Sequence, residues 1–203
     1  MSDGIQRDAY LSTDGLYRYA LHRWWDDRRD RLAFIMLNPS TADATVDDPT
    51  IRRCMGFARS FGCGGIRVFN LYAHRATKPA DLWKADEPTG GDRNDDLLRE
   101  VLRQAKHQPV IAAWGANAKP DRVAEFMSWR GSEHVKALGL TKGGAPRHPL
   151  YLRGDSQMVA FGGDCGSTSG PYSPQSHTCT CSQRPGHFGQ HGCVCGAIWD
   201  GAS

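Results

Sequence analysis

The sequence has no long apolar run. None approaches the roughly 18 residues of a membrane-spanning helix, so no such span is expected. The amino terminus, MSDGIQRDAY, has neither the basic start nor the apolar stretch of a secretory signal, which leads us to expect a cytoplasmic protein. Strong charge of one sign is also missing: 25 Lys and Arg stand against 22 Asp and Glu, for a formal net charge of +3. That balance permits a nucleic-acid partner without requiring one. Cysteine is nearly absent from the first 164 residues, where only Cys54 and Cys63 occur, and the other five of the seven fall from Cys165 onward. An odd, clustered set argues against a disulfide framework and for a local metal site in a reducing compartment.

What is present suffices for one packed domain with a small appendage: 203 residues, 39% of them hydrophobic. The organisation changes near residue 156. Residues 1–155 alternate apolar runs with amphipathic stretches; 156–176, including GGDCGSTSGPYSPQS, read as a Gly/Ser/Pro-rich linker; 177–203 form a Cys/His-rich tail. Within the domain, GLYRYALHRWW and the charged turn DDRRDR predict a hairpin feeding an inner strand, RLAFIML. Asp48-Pro49 is an N-cap followed by proline at the first helical position, with Ile51, Met55, Ala58 and Phe61 at helical spacing and Gly62 as a stop. IRVFN and VIAAW read as buried strands, NDDLLREVLRQAKH and the segment opening at Lys119-Pro120-Asp121 as helices, and VKALGL as a last strand. Alternating strands and helices predict an α/β fold: a three-layer αβα arrangement with a mainly parallel central sheet.

Polar residues sit where the apolar runs end: Asn38-Pro39 after FIML, Asn70 after IRVF, Trp114-Gly115 after VIAA, and His148-Pro149 after GGAPR. In open α/β sheets, ligands bind at the carboxyl ends of the strands, and side-chain amides and an imidazole there suit a pocket that reads a heterocyclic ring. Asn70 carries a donor and an acceptor on one amide, as reading a base edge requires. The plainer readings are a turn for Asn38, a turn or core position for His148, a backbone bond for Asn70 and a core position for Trp114. Asp43, Asp47 and Asp48 lie beside Arg52 and Arg53. The acids suit a divalent ion and the arginines a phosphate, or the whole group serves as a helix cap and surface ion pairs. Arg75 and Arg147 are further phosphate candidates.

The ordered set LNPSTAD, DDPTIRR, VFNLYAHRAT, a strand ending in WG and a closing HPLYL resembles the DUF1643 family over roughly residues 16 to 153. More distantly, the layout is similar to the uracil-DNA glycosylase superfamily. There a strand-end D-P or N-P motif, a strand ending in Asn, a strand ending near W-G and an H-P-S-P-like loop follow in the same order. The resemblance implies a nucleobase-processing enzyme that cleaves an N-glycosidic bond of a damaged or modified base in DNA or a nucleotide. Asn38 would hold the attacking water, His148 would stabilise the departing base, and Pro39 would belong to the base-binding site. Asn70 would read the base edge, Phe69 or Tyr72 would stack on the ring, and Leu150 and Tyr151 would occupy the place of a loop that wedges into a duplex. Two departures stand out: Asn38 replaces the acid of the most efficient relatives, and HPLYL lacks the serine of H-P-S-P. The alternative is a binding module that recognises a modified base or nucleotide without cutting it.

The tail contains a His-x-Cys-x-Cys unit twice, at His177-Cys179-Cys181 and His191-Cys193-Cys195, with His187 between them. Thiolates and imidazoles at short spacing, in a segment too polar to fold by burial, suit tetrahedral zinc. The tail is similar to small C-x5-H-x3-H-x-C-x-C-G modules, which favours Cys181, His187, Cys193 and Cys195 as ligands, with His191 and Cys179 as contenders. Such a tail would contact nucleic acid or protein. Metal analysis of the purified chain is expected to return about one zinc per chain; a metal-free chain with a folded tail would reject the site.

Overall fold

The structure, a computed structural model, describes residues 4–40 and 47–161. A seven-stranded sheet runs in the order β1-β2-β4-β3-β5-β6-β7, built from β1 (Gln6–Leu11), β2 (Arg18–Trp24), β3 (Arg31–Met36), β4 (Gly65–Asn70), β5 (Val110–Ala112), β6 (Lys136–Ala137) and β7 (Val159–Ala160). Four helices accompany it: α1 (Pro49–Ser60), α2 (Pro79–Leu82), α3 (Gly91–Gln104) and α4 (Pro120–Ser128). The α/β class stands, but the sheet is mixed rather than mainly parallel. The inner strands β4, β3, β5 and β6 are mutually parallel, whereas β1 with β2, β2 with β4 and β6 with β7 are antiparallel.

The physical reason lies at the two edges. GLYRYALHRWW supplies only β2, which pairs with β1 on one side and β4 on the other, and the DDRRDR turn leads on to β3 without pairing it to β2. Strand β1, QRDAYL, is exposed along most of its length and carries no apolar alternation to announce it. At the other edge, VKALGL contributes only Lys136–Ala137, and the chain returns through β7 within the stretch read as linker. Phe161 is buried against Trp114, with ring centroids 5.3 Å apart, so the packed domain continues past residue 155.

Both faces of the sheet are covered. On one, Leu21, Leu32, Phe34, Ile66, Val68 and Ile111 pack with Ile51, Cys54, Met55, Phe57 and Ala58 of α1. On the other, Ala33, Ile35, Phe69 and Ala112 pack with Leu98, Val101 and Leu102 of α3 and Phe126 of α4. Each fully buried apolar side chain of this size contributes about 1.5–3 kcal/mol. α1 starts as its sequence predicts: the Asp48 carboxylate accepts from the Ile51 amide at 2.8 Å and Pro49 fills the first turn.

The end of β4 is closed by polar side chains from the α3–α4 face. Asn94 Nδ2 donates to the carbonyls of Asn70 (3.1 Å) and Leu71 (3.4 Å), and Arg122 Nε donates to the Leu71 carbonyl at 3.0 Å. Arg122 is 4% exposed and is held by Asp95 of α3 and by Glu125, the latter at 2.7 Å. One guanidinium therefore joins α3, α4 and the backbone leaving β4. Replacing Arg122 with Leu leaves Asp95 without its partner and removes the Nε bond to the Leu71 carbonyl. The expected cost is about 3–5 kcal/mol in denaturant unfolding, and a loss under about 1 kcal/mol would show that the clamp is dispensable.

Candidate active site

The connections around β3 and β5 define where a ligand can enter. β3 leads to α1 on one face of the sheet, and the neighbouring parallel strand β5 leads to α4 on the other. Loops that leave adjacent strands in opposite directions open a crevice at their carboxyl ends. Asn38 lies just past β3, Trp114-Gly115 just past β5, and Asn70 ends β4 beside Met36.

Asn38 gives both hydrogens of Nδ2 to backbone carbonyls, to Pro39 at 3.0 Å and to Ala76 at 2.7 Å, while the Ala76 amide returns a bond to the Pro39 carbonyl at 3.0 Å. Two carbonyl acceptors fix which end of the amide is nitrogen. Oδ1 is left as an acceptor to which no described residue donates. An aspartate here would face two carbonyl oxygens with no hydrogen to give. The local strap thus accounts for an amide rather than an acid at this position.

Asn70 is 2% exposed. Alternation along β4 sets it on the face of Ile66 and Val68, the α1 face. Its Nδ2 is buried with no hydrogen-bond partner, a state that costs desolvation unless a ligand supplies an acceptor.

His148 reaches the same crevice through a braced loop. The Gly115 amide donates to the Pro146 carbonyl at 3.0 Å, and the Arg147 amide donates to the Gly139 carbonyl at 2.8 Å. Gly115 has φ +74°, a conformation that disfavours any side chain, and a Cβ built there lies 3.9 Å from that of His148. His148 Nδ1 accepts from the Leu150 amide at 3.3 Å, so the neutral ring carries its proton on Nε2. Burial lowers its pKa below 6.5, partly opposed by Asp48. Asp48 also accepts from Ser40 Oγ at 3.4 Å, which ties the start of α1 to the residue after Asn38-Pro39.

The other sequence candidates fall into three groups. Leu150 (43% exposed) and Tyr151 (72%) project from the short turn after His148. Phe69 and Tyr72 are core residues. The first packs edge-on to His22, the second against Trp83 with its hydroxyl accepting from the Lys119 amide at 3.2 Å, so neither ring offers an open face for stacking. The arginines mostly have structural partners. Arg52 is exposed and bonds the Asp47 carbonyl, and Arg53 bonds the Leu152 carbonyl and lies over Phe57. Arg75 bonds the Gly15 carbonyl at 2.9 Å, and Arg147 is exposed beside His148.

Asp47 pairs with the fully buried Arg23 at 2.6 Å and with Arg7 at 3.4 Å, and Asp48 caps α1, so these acids serve structure first. Asp43 lies outside the described residues, as do Cys179, Cys181, His187, His191, Cys193 and Cys195. Among the described residues no group of three His, Cys, Asp or Glu is placed to hold a metal ion.

Residues 18–150 match the family described as "Protein of unknown function (DUF1643)". The chain belongs to the DUF1643 family. No curated protein matches it significantly. The matched segment of this DUF1643 chain opens on Arg18 and closes on Leu150, and so spans Asn38, Asn70, Trp114-Gly115 and His148. Three residues that sequence reading passed over also fall inside it: Arg18, Asn94 and Arg122. Two of them left a trace in the sequence. Arg18 interrupts the aromatic run YRYAL, and Asn94 occupies the same helical stripe as Leu98, Val101 and Leu102.

Because the His148 pKa is depressed, the unfolded chain takes up this proton first as pH falls through 6.5, so the folded state loses stability from that point downward. His148→Gln is expected to flatten that part of a stability-versus-pH profile, with the half-buried His22, whose pKa burial also lowers, providing what slope remains. Nitrogen-detected NMR at pH 7 is expected to show a neutral ring protonated at Nε2; an imidazolium at that pH would overturn the assignment.

Proposed function

We propose that this protein is a nucleobase-processing enzyme of the DNA glycosylase type, with the three-layer architecture of the uracil-DNA glycosylase superfamily, acting on an N-glycosidic bond of a modified base. The observation that supports this reading is the fixed, opposite polarity of two groups at one crevice. Asn38 presents only an acceptor, and His148 only a donor. N-glycoside hydrolysis needs this pair: an acceptor to orient water toward C1′ and a donor to the base oxygen on which negative charge collects.

The step balances without a carboxylate base. As the C1′–N bond breaks, its electron pair leaves with the base and is stabilised by the His148 Nε2 hydrogen. Water held by Asn38 Oδ1 joins the electron-poor C1′ and releases its proton only afterwards, when it is acidic enough to give it to solvent or to the departed base. Asn70 Nδ2 supplies a buried donor to an acceptor on the base edge. The tail, with its zinc ligands, supplies a contact to nucleic acid or protein.

The test is to incubate the full chain with free nucleotides and with single- and double-stranded oligonucleotides carrying uracil and modified bases, and to measure free base and abasic product. His148→Ala is expected to reduce base release about 10²- to 10³-fold, as loss of a donor to a developing anion does. Asn38→Ala is expected to reduce it about 10²-fold. Binding with no release for every substrate would replace the enzyme with a modified-base or nucleotide binding module.

A further inference from the structure

We propose that Arg18 forms the floor of a phosphate subsite in the strand-end crevice, and that the substrate presents to it the terminal phosphate of a mononucleotide. The choice of phosphate rests on the nucleobase reading above, whereas the existence of an anion site rests on Arg18 alone.

The side chain is turned inward by a β-bulge. Leu11 pairs with Arg18 and Tyr10 with Ala20, which leaves Tyr19 as the extra residue of β2. Tyr19 lies against Gly90 and Arg93, at the start of α3, and Ala20 joins the α3 and α4 core. Arg18 is left to the other face, among the charges that gather at the start of α1.

There it is 5% exposed, its Nε is buried with no partner, and its guanidinium makes no hydrogen bond or ion pair with any described residue. This is unusual for a group with five donors. The other buried arginines are satisfied: Arg23 by Asp47 and the His22 carbonyl, Arg122 by Asp95, Glu125 and the Leu71 carbonyl. Burial lowers the Arg18 pKa to about 10; of the nearby charges Asp48 opposes the fall, and Arg75 and Arg23 deepen it.

Asp48 is also the charge that acts on His148, and it bonds Ser40 two residues past Asn38. Arg18 and His148 therefore both feel the charge of Asp48, and the bond from Ser40 to Asp48 lies two residues past Asn38. A planar fork of donors suits a phosphate or carboxylate. At 5% exposure it is reached only by a group that enters the crevice, which a terminal phosphate does and an internal phosphodiester, with chain continuing on both sides, does poorly.

The experiment measures the thermal midpoint of the full chain with inorganic phosphate, with 5′-mononucleotides, with the matching nucleosides, and with the same nucleotides inside short single strands. Wild type is expected to gain several degrees with phosphate and with mononucleotides, and nothing with nucleosides. Arg18→Met should raise the midpoint without ligand, because it removes a buried unpaired charge at similar volume, and should abolish the response to phosphate. Arg18→Lys should keep a weakened response. A structural role predicts the reverse, so an Arg18→Met protein that is destabilised or fails to fold overturns the proposal. So does a wild-type chain indifferent to phosphate, a phosphate response that survives Arg18→Met, or a stronger response to strands than to mononucleotides. None of these readouts requires base release, so a catalytically silent protein that binds phosphate through Arg18 would remove the glycosidic reading and leave the anion site standing.

Discussion

A strand that ends inside a protein leaves carbonyls pointing at apolar neighbours, and β4 ends inside this one. The carbonyls of Asn70 and Leu71 are taken up by Asn94 from α3 and by Arg122 from α4, with Asp95 and Glu125 holding the guanidinium in turn. Buried backbone oxygens left unpaired would cost about as much as the domain's net stability allows for one or two defects. The clamp therefore does more than join two helices to the sheet. It fixes the height at which β4 stops, and with it the position of Asn70 at the edge of the crevice.

The crevice is assembled from pieces that each have a structural duty on one side and an open valence on the other. Asn38 straps the chain after β3 to Ala76 with its nitrogen and offers its oxygen. His148 caps its own turn with Nδ1 and offers Nε2. Holding one end of a side chain by backbone bonds immobilises the other end, which is the condition for placing a reacting group without reorganisation. Asn70 and Arg18 differ, because the buried atoms of each that lack partners are donors. Under the proposed reading, these buried donors are the groups that meet the oxygens of the ligand.

Much of this was legible in the sequence, for definite reasons. α1 was announced by Asp48-Pro49 and its apolar spacing, the inner strands by runs such as AFIML and VIAAW, and the polar strand ends by the dipeptides that close those runs. The mixed character of the sheet was not legible. β1 is exposed and polar, and β6 and β7 have two residues each, too few to establish a period. Phe69 and Tyr72 flank Asn70 in the sequence, but alternation turns Phe69 to the opposite face, and Tyr72 spends its hydroxyl on the Lys119 amide. Arg18 escaped notice because a strand pattern read with period two cannot show a bulge.

That bulge turns a side chain from one face of the sheet to the other without changing any residue's identity. In a strand, chemistry is assigned by parity, and Tyr19 is the residue that changes the parity of β2. Removing that one residue would leave every other side chain discussed above still encoded, while the strand upstream of Ala20 would be reversed in phase. The aromatic pair Tyr17 and Tyr19 stacks on the α3 side of this point, with ring centroids 6.1 Å apart, so the odd count is built into the packing. In this chain, the length of a hairpin arm carries information as specific as the identity of any amino acid within it.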